Sequence, residues 1–254
     1  MKNDIQKTSK ETLGIIGFGA FGKLIAQSLK AYFEIFAYDP LPEPQGGATA
    51  LGTTFVSLER VAQCDVVVIA SPVSSFEDVV ASVAKACRPG ALIVDVGSVK
   101  VQPADIMART LPEDVDVVAT HPLFGPQSAR DGFRGLKIAL CPIRGACHWR
   151  LGAFLRKYLG LDVIMTTPHA HDREAATVQG LTHLIAKVLL SMGPLPSRMT
   201  TRSFDLLITS ISMVQNDAPE VFDAIENLNP YAQDVRRQFF RLAHELSLDL
   251  EKSH

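Results

Sequence analysis

The feature that most constrains the fold of this chain is a glycine motif near its amino end, LGIIGFGAFGKLIAQSL. Its three glycines follow a short apolar run and open a helical pattern. In this order the first glycine permits a tight turn, the second lets the backbone approach a pyrophosphate, and the third lets the helix pack closely on the strand. The phosphates of a dinucleotide would lie at the positive amino end of that helix. We therefore predict a cofactor-binding loop made of Gly17, Phe18, Gly19, Ala20, Phe21 and Gly22.

An acidic residue at the end of the second apolar run indicates which dinucleotide binds. The segment FEIFAYDP ends with Asp39, at the distance of about 20 residues from the first glycine that such sites require. A carboxylate there accepts hydrogen bonds from the ribose hydroxyls and repels a 2′-phosphate. The next basic residue along the chain is Arg60, so the local sequence offers no clamp for that phosphate. The pattern favours NAD over NADP. A glycine turn in another kind of α/β protein, with Asp39 as a plain turn residue, is the alternative.

Apolar runs and helical patterns alternate through the first two thirds of the chain. This alternation predicts an α/β fold, a Rossmann-type doubly wound parallel sheet, over residues 1–168. From 169 to 254 only helical patterns remain, which predicts an all-helical dimerisation domain. Its apolar stripes are thin for an independent core, so we expect a homodimer. The expected strands are Leu13–Ile16, Ile35–Tyr38, Val66–Ala70, Leu92–Val96, Val117–Thr120, Lys137–Cys141 and Asp162–Thr166. The expected helices cover about 21–31, 57–63, 75–86, 102–109, 171–193, 201–215, 218–227 and 230–249.

Composition narrows the functional class. The formal net charge is −2 and the 25 basic residues are spread along the chain, so no nucleic-acid surface is expected. No apolar run reaches the ~20 residues of a membrane span, and the polar amino end lacks the apolar stretch of a signal peptide. The four cysteines form no C-x-x-C pair, and no H-E-x-x-H or Cys-His cluster indicates a metal. We expect a cytoplasmic protein that acts on a small molecule and binds no metal.

Polar residues follow three of the expected strands, where ligands bind in open parallel sheets. Ser71, Pro72 and Val73 should lie along the nicotinamide half of the cofactor. The next two strand ends bring Ser98, Lys100 and His121 toward the same crevice. Removing a hydride from a carbinol requires a base for the hydroxyl proton, and histidine is the usual choice near neutral pH. Each residue also has an ordinary alternative, because Ser98 suits a helix cap, Lys100 a solvated lysine, and His121 a loop residue fixed by Pro122.

Three segments together resemble one enzyme family. DVGSVK, THPLFGPQSARDGFRG and PHAHDREAATVQGLTH are similar to the prephenate/arogenate dehydrogenases of tyrosine biosynthesis, from Gly17 to about Gln238. The resemblance implies NAD-dependent oxidative decarboxylation of prephenate, to 4-hydroxyphenylpyruvate, or of arogenate, to tyrosine. It implies that His121 takes the proton of the ring 4-hydroxyl and that Ser98 hydrogen-bonds the same group. It also implies that His171, Gln179 and His183 contribute to the substrate pocket.

The chain departs from the bacterial members of this family in a later helix. Their Thr-Arg pair, whose arginine holds the ring carboxylate, is replaced by Ser212 and Met213, and the SFDL stretch resembles the plant-type arogenate dehydrogenases. A carboxylate is best matched by a guanidinium group, so four arginines are candidates for binding it: Arg130, Arg134, Arg173 and Arg202. Two other functions stay open. One is another hydroxy-acid or imine dehydrogenase, and the other is a non-catalytic NAD-binding sensor.

Overall fold

A computed structural model describes residues 10–41 and 51–252. Its eight strands form one sheet in the order β3-β2-β1-β4-β5-β6-β7-β8. All neighbouring strands pair in parallel except β6 and β7, so the last two strands run opposite to the first six. The strands are β1 Thr12–Ile16, β2 Glu34–Tyr38, β3 Thr53–Phe55, β4 Val66–Ile69, β5 Leu92–Asp95, β6 Asp116–Pro122, β7 Lys137–Arg144 and β8 Asp162–Met165. This order of the first six strands is the doubly wound arrangement of dinucleotide-binding sheets.

Helices follow most of the strands, and after β8 the described residues form helices and loops but no further strand. Those of the sheet region are α1 Ala20–Leu29, α2 Leu58–Ala62, α3 Val73–Ala86, α4 Val101–Thr110 and α5 Cys147–Phe154, which continues into a π turn at Leu155–Leu159. The later ones are α6 Pro168–Ala175, a π turn at Ala176–Gly180, α7 Leu181–Ser191, α8 Arg202–Val214, α9 Pro219–Asp223, a π turn at Ala224–Leu228, and α10 Ala232–Lys252. No helix in the described ranges has the length and apolar character needed to cross a membrane.

The sheet has an apolar layer on each face because its strand residues point alternately to the two sides. On one face, Val67 belongs to the same buried cluster as Val80 of α3 and Met107 of α4. On the other, Val68 shares a buried cluster with Ala26 of α1. Both faces are therefore covered by helices, which explains why the central strands are apolar almost throughout.

One strand and one helix were not expected from the sequence, and one residue lies in a strand rather than in a loop. The short strand β3 and the helix α5 were not expected. His121, interpreted as a loop residue, lies inside β6, where it pairs with Ala139 of β7. The antiparallel partner strand extends the ladder to Pro122 and thus draws the histidine into the sheet. A Gly- and Pro-rich segment does follow, but it begins after Pro122 rather than before it.

The first helix after β8 begins at Pro168, three residues before the expected start at residue 171. The hydroxyl of Thr167 accepts a hydrogen bond from the N–H of Ala170 at 3.2 Å, and Pro168 occupies the first helical position. Both are standard features of a helix start. The sequence signal for the beginning of α6 was therefore present in Thr167 and Pro168, ahead of the first histidine.

Candidate active site

The glycine loop has the shape that a dinucleotide requires. Gly17 has φ +96°, and a side chain there would come within 2.6 Å of the carbonyl oxygen of Ala70. A side chain at Gly22 would clash with the carbonyl oxygen of Gly17. At Gly19, by contrast, an added Cβ would meet no atom of residues 10–41 or 51–252 within 4 Å. Gly17 and Gly22 thus permit close approach between backbone segments. Gly19 leaves open space at the amino end of α1, where a pyrophosphate would bind.

The carboxylate of Asp39 lies directly beside this loop. One of its oxygens accepts the backbone N–H of Phe18 at 2.7 Å, and the other accepts that of Leu41 at 2.9 Å. The end of β2 is therefore joined to the glycine loop through a charged group. This is where an adenosine ribose lies in dinucleotide sites of this topology.

Residues 71–73 approach the loop from the other side. An added side chain at Gly17 would lie 3.0 Å from the backbone nitrogen of Ser71, so the two segments are in contact. Val73 is the first residue of α3 and Pro72 precedes it. The hydroxyl oxygen of Ser71 is buried and has no hydrogen-bond partner among the residues that the structure describes. A buried hydroxyl usually has a partner, so this group and the space at Gly19 both fit a bound dinucleotide.

His121 is the centre of a chain of buried polar side chains. Its exposed fraction is 3%. Thr120 and Pro122 line an apolar cavity on the α1 and α5 side of the sheet, so the side chain of His121 points to the opposite face. There its Nδ1 lies 2.8 Å from Nε2 of His171, on α6. Its Nε2 lies 3.4 Å from the side-chain nitrogen of Gln179.

The chain continues from His171 to a carboxylate. Nδ1 of His171 lies 2.8 Å from Oδ1 of Asp172, whose side chain is completely buried. The two oxygens of Asp172 also accept the backbone N–H groups of Lys100 at 2.7 Å and Val101 at 2.8 Å. These two donors form the amino end of α4, which favours a negative charge. The carboxylate therefore attaches α6 to α4 and orients His171.

Lys100 is neither solvated nor free in the crevice, contrary to both interpretations of the sequence. It is fully buried and forms an ion pair with Asp95, whose carboxylate is also fully buried. Its ammonium group donates a second hydrogen bond to the carbonyl oxygen of Thr120 at 2.6 Å. Asp95 further accepts the N–H groups of Gly97 at 3.0 Å and Thr120 at 3.1 Å. The pair fixes the backbone directly before His121.

The surroundings of His121 keep its imidazole neutral. Burial lowers the pKa of His121 well below its ordinary value, and the positive charge of Lys100 lowers it further. A neutral imidazole has one nitrogen with a free lone pair, which is the form that a general base requires.

The other predicted substrate residues are distributed differently. Ser98 is half-buried in the loop between β5 and α4, and it does not cap α4, because the residue at the cap position is Lys100. Gln179, in the π turn, contacts His121. His183 makes its hydrogen bonds to other groups. Its Nδ1 lies 2.9 Å from the carbonyl oxygen of Gln179, and its Nε2 lies 3.2 Å from Oδ2 of Asp217.

Burial alone would lower the pKa of His183. The hydrogen bonds to Asp217 and to the Gln179 carbonyl outweigh this, and the pKa of His183 is raised. Its imidazole therefore favours the charged form beside a carboxylate, whereas that of His121 favours the neutral form. The two histidines are suited to different tasks.

The four candidate arginines lie on the surface. The side chains of Arg130 and its neighbour Asp131 are 3.9 Å apart and both exposed. Arg202 is the exposed first residue of α8, Arg134 is exposed, and Arg173 packs over the ring of Tyr231 at 5.0 Å. Among the described residues, none of these arginines contacts His121.

Sequence reasoning missed the link from His171 to Asp172 and its support by α4. It placed His171 in the substrate pocket, and the structure shows that Nε2 of His171 lies 2.8 Å from Nδ1 of His121. A histidine followed by an aspartate at the start of a helix was the visible signal. Nothing in the spacing indicated that α6 packs on α4 with this pair facing β6.

Comparisons with known proteins agree with this architecture. Residues 25–150 match the family described as "Prephenate dehydrogenase, nucleotide-binding domain". The chain is 26% identical to arogenate dehydrogenase 2, chloroplastic, of Arabidopsis thaliana over 96% of its own length and 74% of that protein. It is 28% identical to the probable arogenate/prephenate dehydrogenase of Methanocaldococcus jannaschii, over 95% of its own length and 57% of that protein.

A solved structure shares the fold over nearly the whole chain. Prephenate dehydrogenase from A. aeolicus, in complex with hydroxyphenyl propionate and NAD+, superposes with a TM-score of 0.76 at 23% sequence identity. The match covers 98% of this chain and 93% of that one. This likeness shows that the two chains share a fold. The matched residues 25–150 and the relatives from Arabidopsis thaliana and Methanocaldococcus jannaschii show that the chain is similar to the prephenate/arogenate dehydrogenase family.

Proposed function

We propose that the protein catalyses the NAD-dependent oxidative decarboxylation of prephenate, of arogenate, or of both, with His121 as the base. The observation that carries this proposal is a buried, neutral histidine at the carboxyl end of β6, on the edge of the sheet that holds the glycine loop. Oxidation of the ring 4-hydroxyl releases a proton, and His121 takes it. Loss of carbon dioxide then makes the ring aromatic and the step effectively irreversible. The products are 4-hydroxyphenylpyruvate from prephenate and tyrosine from arogenate.

NAD would be held by the residues around the glycine loop. The N–H groups of Gly19 to Gly22 would face the pyrophosphate, Asp39 the adenosine ribose, and Ser71 to Val73 the nicotinamide half. Once bound, the nicotinamide supplies the acceptor for the hydride that leaves ring C4. The task of the chain is to hold the ring at the right distance and to exclude water, and this positioning is where most of the rate should arise.

The substrate would be held by polar groups from both parts of the chain. Ser98 would hydrogen-bond the 4-hydroxyl together with His121, and Gln179 and His183 would line the pocket from the helices. The ring carboxylate would be bound by Arg130 or Arg202, whose exposed guanidinium groups can each present two parallel N–H donors. Replacing each with lysine distinguishes them, because only the true ligand loses its paired hydrogen bonds and raises KM for the substrate.

A four-way rate assay tests the proposed function. Purified protein is mixed with prephenate or arogenate and with NAD or NADP, and the reduced nicotinamide is followed by absorbance. We expect turnover with at least one substrate, faster with NAD. His121→Asn should lower kcat by about 10²- to 10⁴-fold, whereas the matched control His148→Asn should not change it. Measurable NAD binding with no turnover in any of the four mixtures would contradict the proposal and favour another dehydrogenase or a sensor.

We further infer that the active protein is a homodimer held by its helices. Leu242, Leu246 and Leu250 of α10 recur at every fourth residue and are 48%, 61% and 59% exposed. An apolar stripe of this kind is rarely left in water. Light scattering coupled to size exclusion should give the mass of a dimer, and Leu246→Lys should shift it to the monomer. A wild-type chain that elutes as a monomer would contradict this inference.

A further inference from the structure

We propose that His171 and Asp172 are positioning residues that hold the proton of His121 on Nδ1 and leave Nε2 as its basic atom. This inference rests on the proposed function and specifies how its base is prepared. His171 and Asp172 follow His121 in the chain by 50 and 51 residues. Their exposed fractions are 3% for His121, 6% for His171 and 0% for Asp172, so water does not compete for their hydrogen bonds.

The direction of the hydrogen bonds is set at the carboxylate end. Asp172 accepts two backbone N–H groups from the amino end of α4, at 2.7 and 2.8 Å, and such donors stabilise the ionised form. An ionised carboxylate can only accept hydrogen bonds. The contact of 2.8 Å between Oδ1 of Asp172 and Nδ1 of His171 therefore requires a proton on that nitrogen.

The proton position on His171 in turn sets the proton position on His121. A neutral imidazole that carries its proton on Nδ1 presents a lone pair on Nε2. That lone pair lies 2.8 Å from Nδ1 of His121, which must then be the donor. The remaining lone pair of His121 lies on Nε2, beside the side-chain nitrogen of Gln179 at 3.4 Å. The amide of Gln179 thus presents its nitrogen, a donor, to this lone pair.

This proton arrangement matters when the substrate hydroxyl loses its proton. The substrate O–H bond breaks, the new N–H bond forms on Nε2, and His121 becomes positively charged. Its Nδ1–H still donates to His171, and the carboxylate of Asp172 lies behind as the counter-charge. Two other groups near His121 in the described part of the chain do not supply one. The charge of Lys100 is paired with Asp95, and burial raises the pKa of the Cys141 thiol to about 12.

The first experiment reads the proton position and needs no turnover. The full chain is labelled with ¹⁵N in its histidines, and His121 is assigned by comparison with His121→Asn. At neutral pH we expect a protonated Nδ1 and a non-protonated Nε2. A proton on Nε2 of His121 in the wild-type protein would overturn the proposal. If the wild type turns over neither substrate, the proposed function fails, and this spectrum still decides the proton position.

The second experiment removes the acceptor. A histidine base held in the wrong tautomer loses about 10⁴-fold in serine proteases, so His171→Phe should lower kcat by about 10²- to 10⁴-fold with little change in KM. The acid limb of kcat/KM should move to lower pH, because the charged form of His121 has lost its acceptor. His171→Gln keeps an acceptor oxygen and should recover part of the rate.

The control is His169→Phe, on the same helix but exposed and bonded to the hydroxyl of Tyr231. It should leave kcat and the pH profile unchanged. An unchanged kcat in His171→Phe would overturn the proposal. So would a move of the acid limb to higher pH, which would mean that His171 acts as a positive charge rather than as an acceptor. If His171→Phe does not fold, the comparison of His171→Gln with the control carries the same test.

Discussion

Removing the buried ammonium of Lys100 should cost the protein much of its stability. Lys100→Met keeps the length of the side chain but leaves the fully buried carboxylate of Asp95 without its ion pair. Breaking a buried pair by deleting one partner costs about 3–5 kcal/mol. Asp95 retains the N–H groups of Gly97 at 3.0 Å and Thr120 at 3.1 Å, which places the expected loss near about 3 kcal/mol, the lower end of that range. The carbonyl oxygen of Thr120 also loses a donor, which costs about 1 kcal/mol more.

A loss of about 4 kcal/mol is large beside a total of about 5–15 kcal/mol for a typical domain. It corresponds to a decrease in Tm of about 8–16 °C at about 2–4 °C per kcal/mol for a chain of this size. Urea unfolding at one fixed protein concentration measures the difference, since association of subunits would otherwise shift it. The matched control is Arg241→Met, which breaks the exposed Arg241–Glu245 pair and should change stability by less than about 1 kcal/mol.

The loss of stability in Lys100→Met should depend on pH in a defined direction. Burial raises the pKa of Asp95 and Lys100 opposes this, so the pKa should rise further in Lys100→Met. A raised carboxyl pKa means that the folded state binds the extra proton. The deficit relative to wild type should therefore be largest at neutral pH and shrink as the pH falls through the raised pKa toward about 3.9. Adding Asp95→Asn should restore part of the stability. A deficit below about 1 kcal/mol, or a double variant less stable than Lys100→Met, would refute the reasoning.

Three further predictions concern the glycine loop, Asp39 and His183. Gly19→Ala should leave Tm unchanged, because no atom of the described residues lies within 4 Å of its added Cβ, yet it should weaken NAD binding measured by calorimetry. Gly22→Ala should lower stability by about 1–3 kcal/mol, and equal effects of the two substitutions would count against the loop geometry. Asp39→Asn should shift the NADP-to-NAD ratio of kcat/KM toward NADP on the order of tenfold, since it removes a repelling charge; an unaltered ratio would show that Asp39 does not face the ribose. The raised pKa of His183 stabilises the fold below its unfolded pKa of about 6.5, and this stability is lost as pH rises through the folded pKa. Asp217→Asn should therefore lower urea stability mainly at acidic pH, and a loss confined to alkaline pH would contradict the pairing.

The cofactor loop could be predicted from sequence because its constraints are local. The turn at Gly17, the open space at Gly19 and the close packing at Gly22 all arise within one strand–turn–helix unit. Asp39 follows the next strand, and parallel pairing of β1 with β2 is enough to bring it to the loop. Short-range geometry and one strand pairing therefore determine most of the cofactor site.

The surroundings of His121 could not be predicted in this way. In the sequence Lys100 stands in a short polar segment typical of a solvated loop, yet the fold buries it against Asp95. His171 reaches Nδ1 of His121 only because α6 packs on α4, where Asp172 binds the amino end of the helix. These contacts join residues far apart in the chain, and no periodicity records them.

The sequence by itself determined the α/β alternation, the dinucleotide loop and the identity of the histidine that follows the apolar run of β6. Only the tertiary structure decided that this histidine lies within the sheet, that its imidazole is neutral, and that its Nδ1 contacts His171 while its Nε2 contacts Gln179. The physical reason is that these properties depend on burial and on the direction of hydrogen bonds. Both are set by the elements that pack around His121 and not by the residues beside it in the chain.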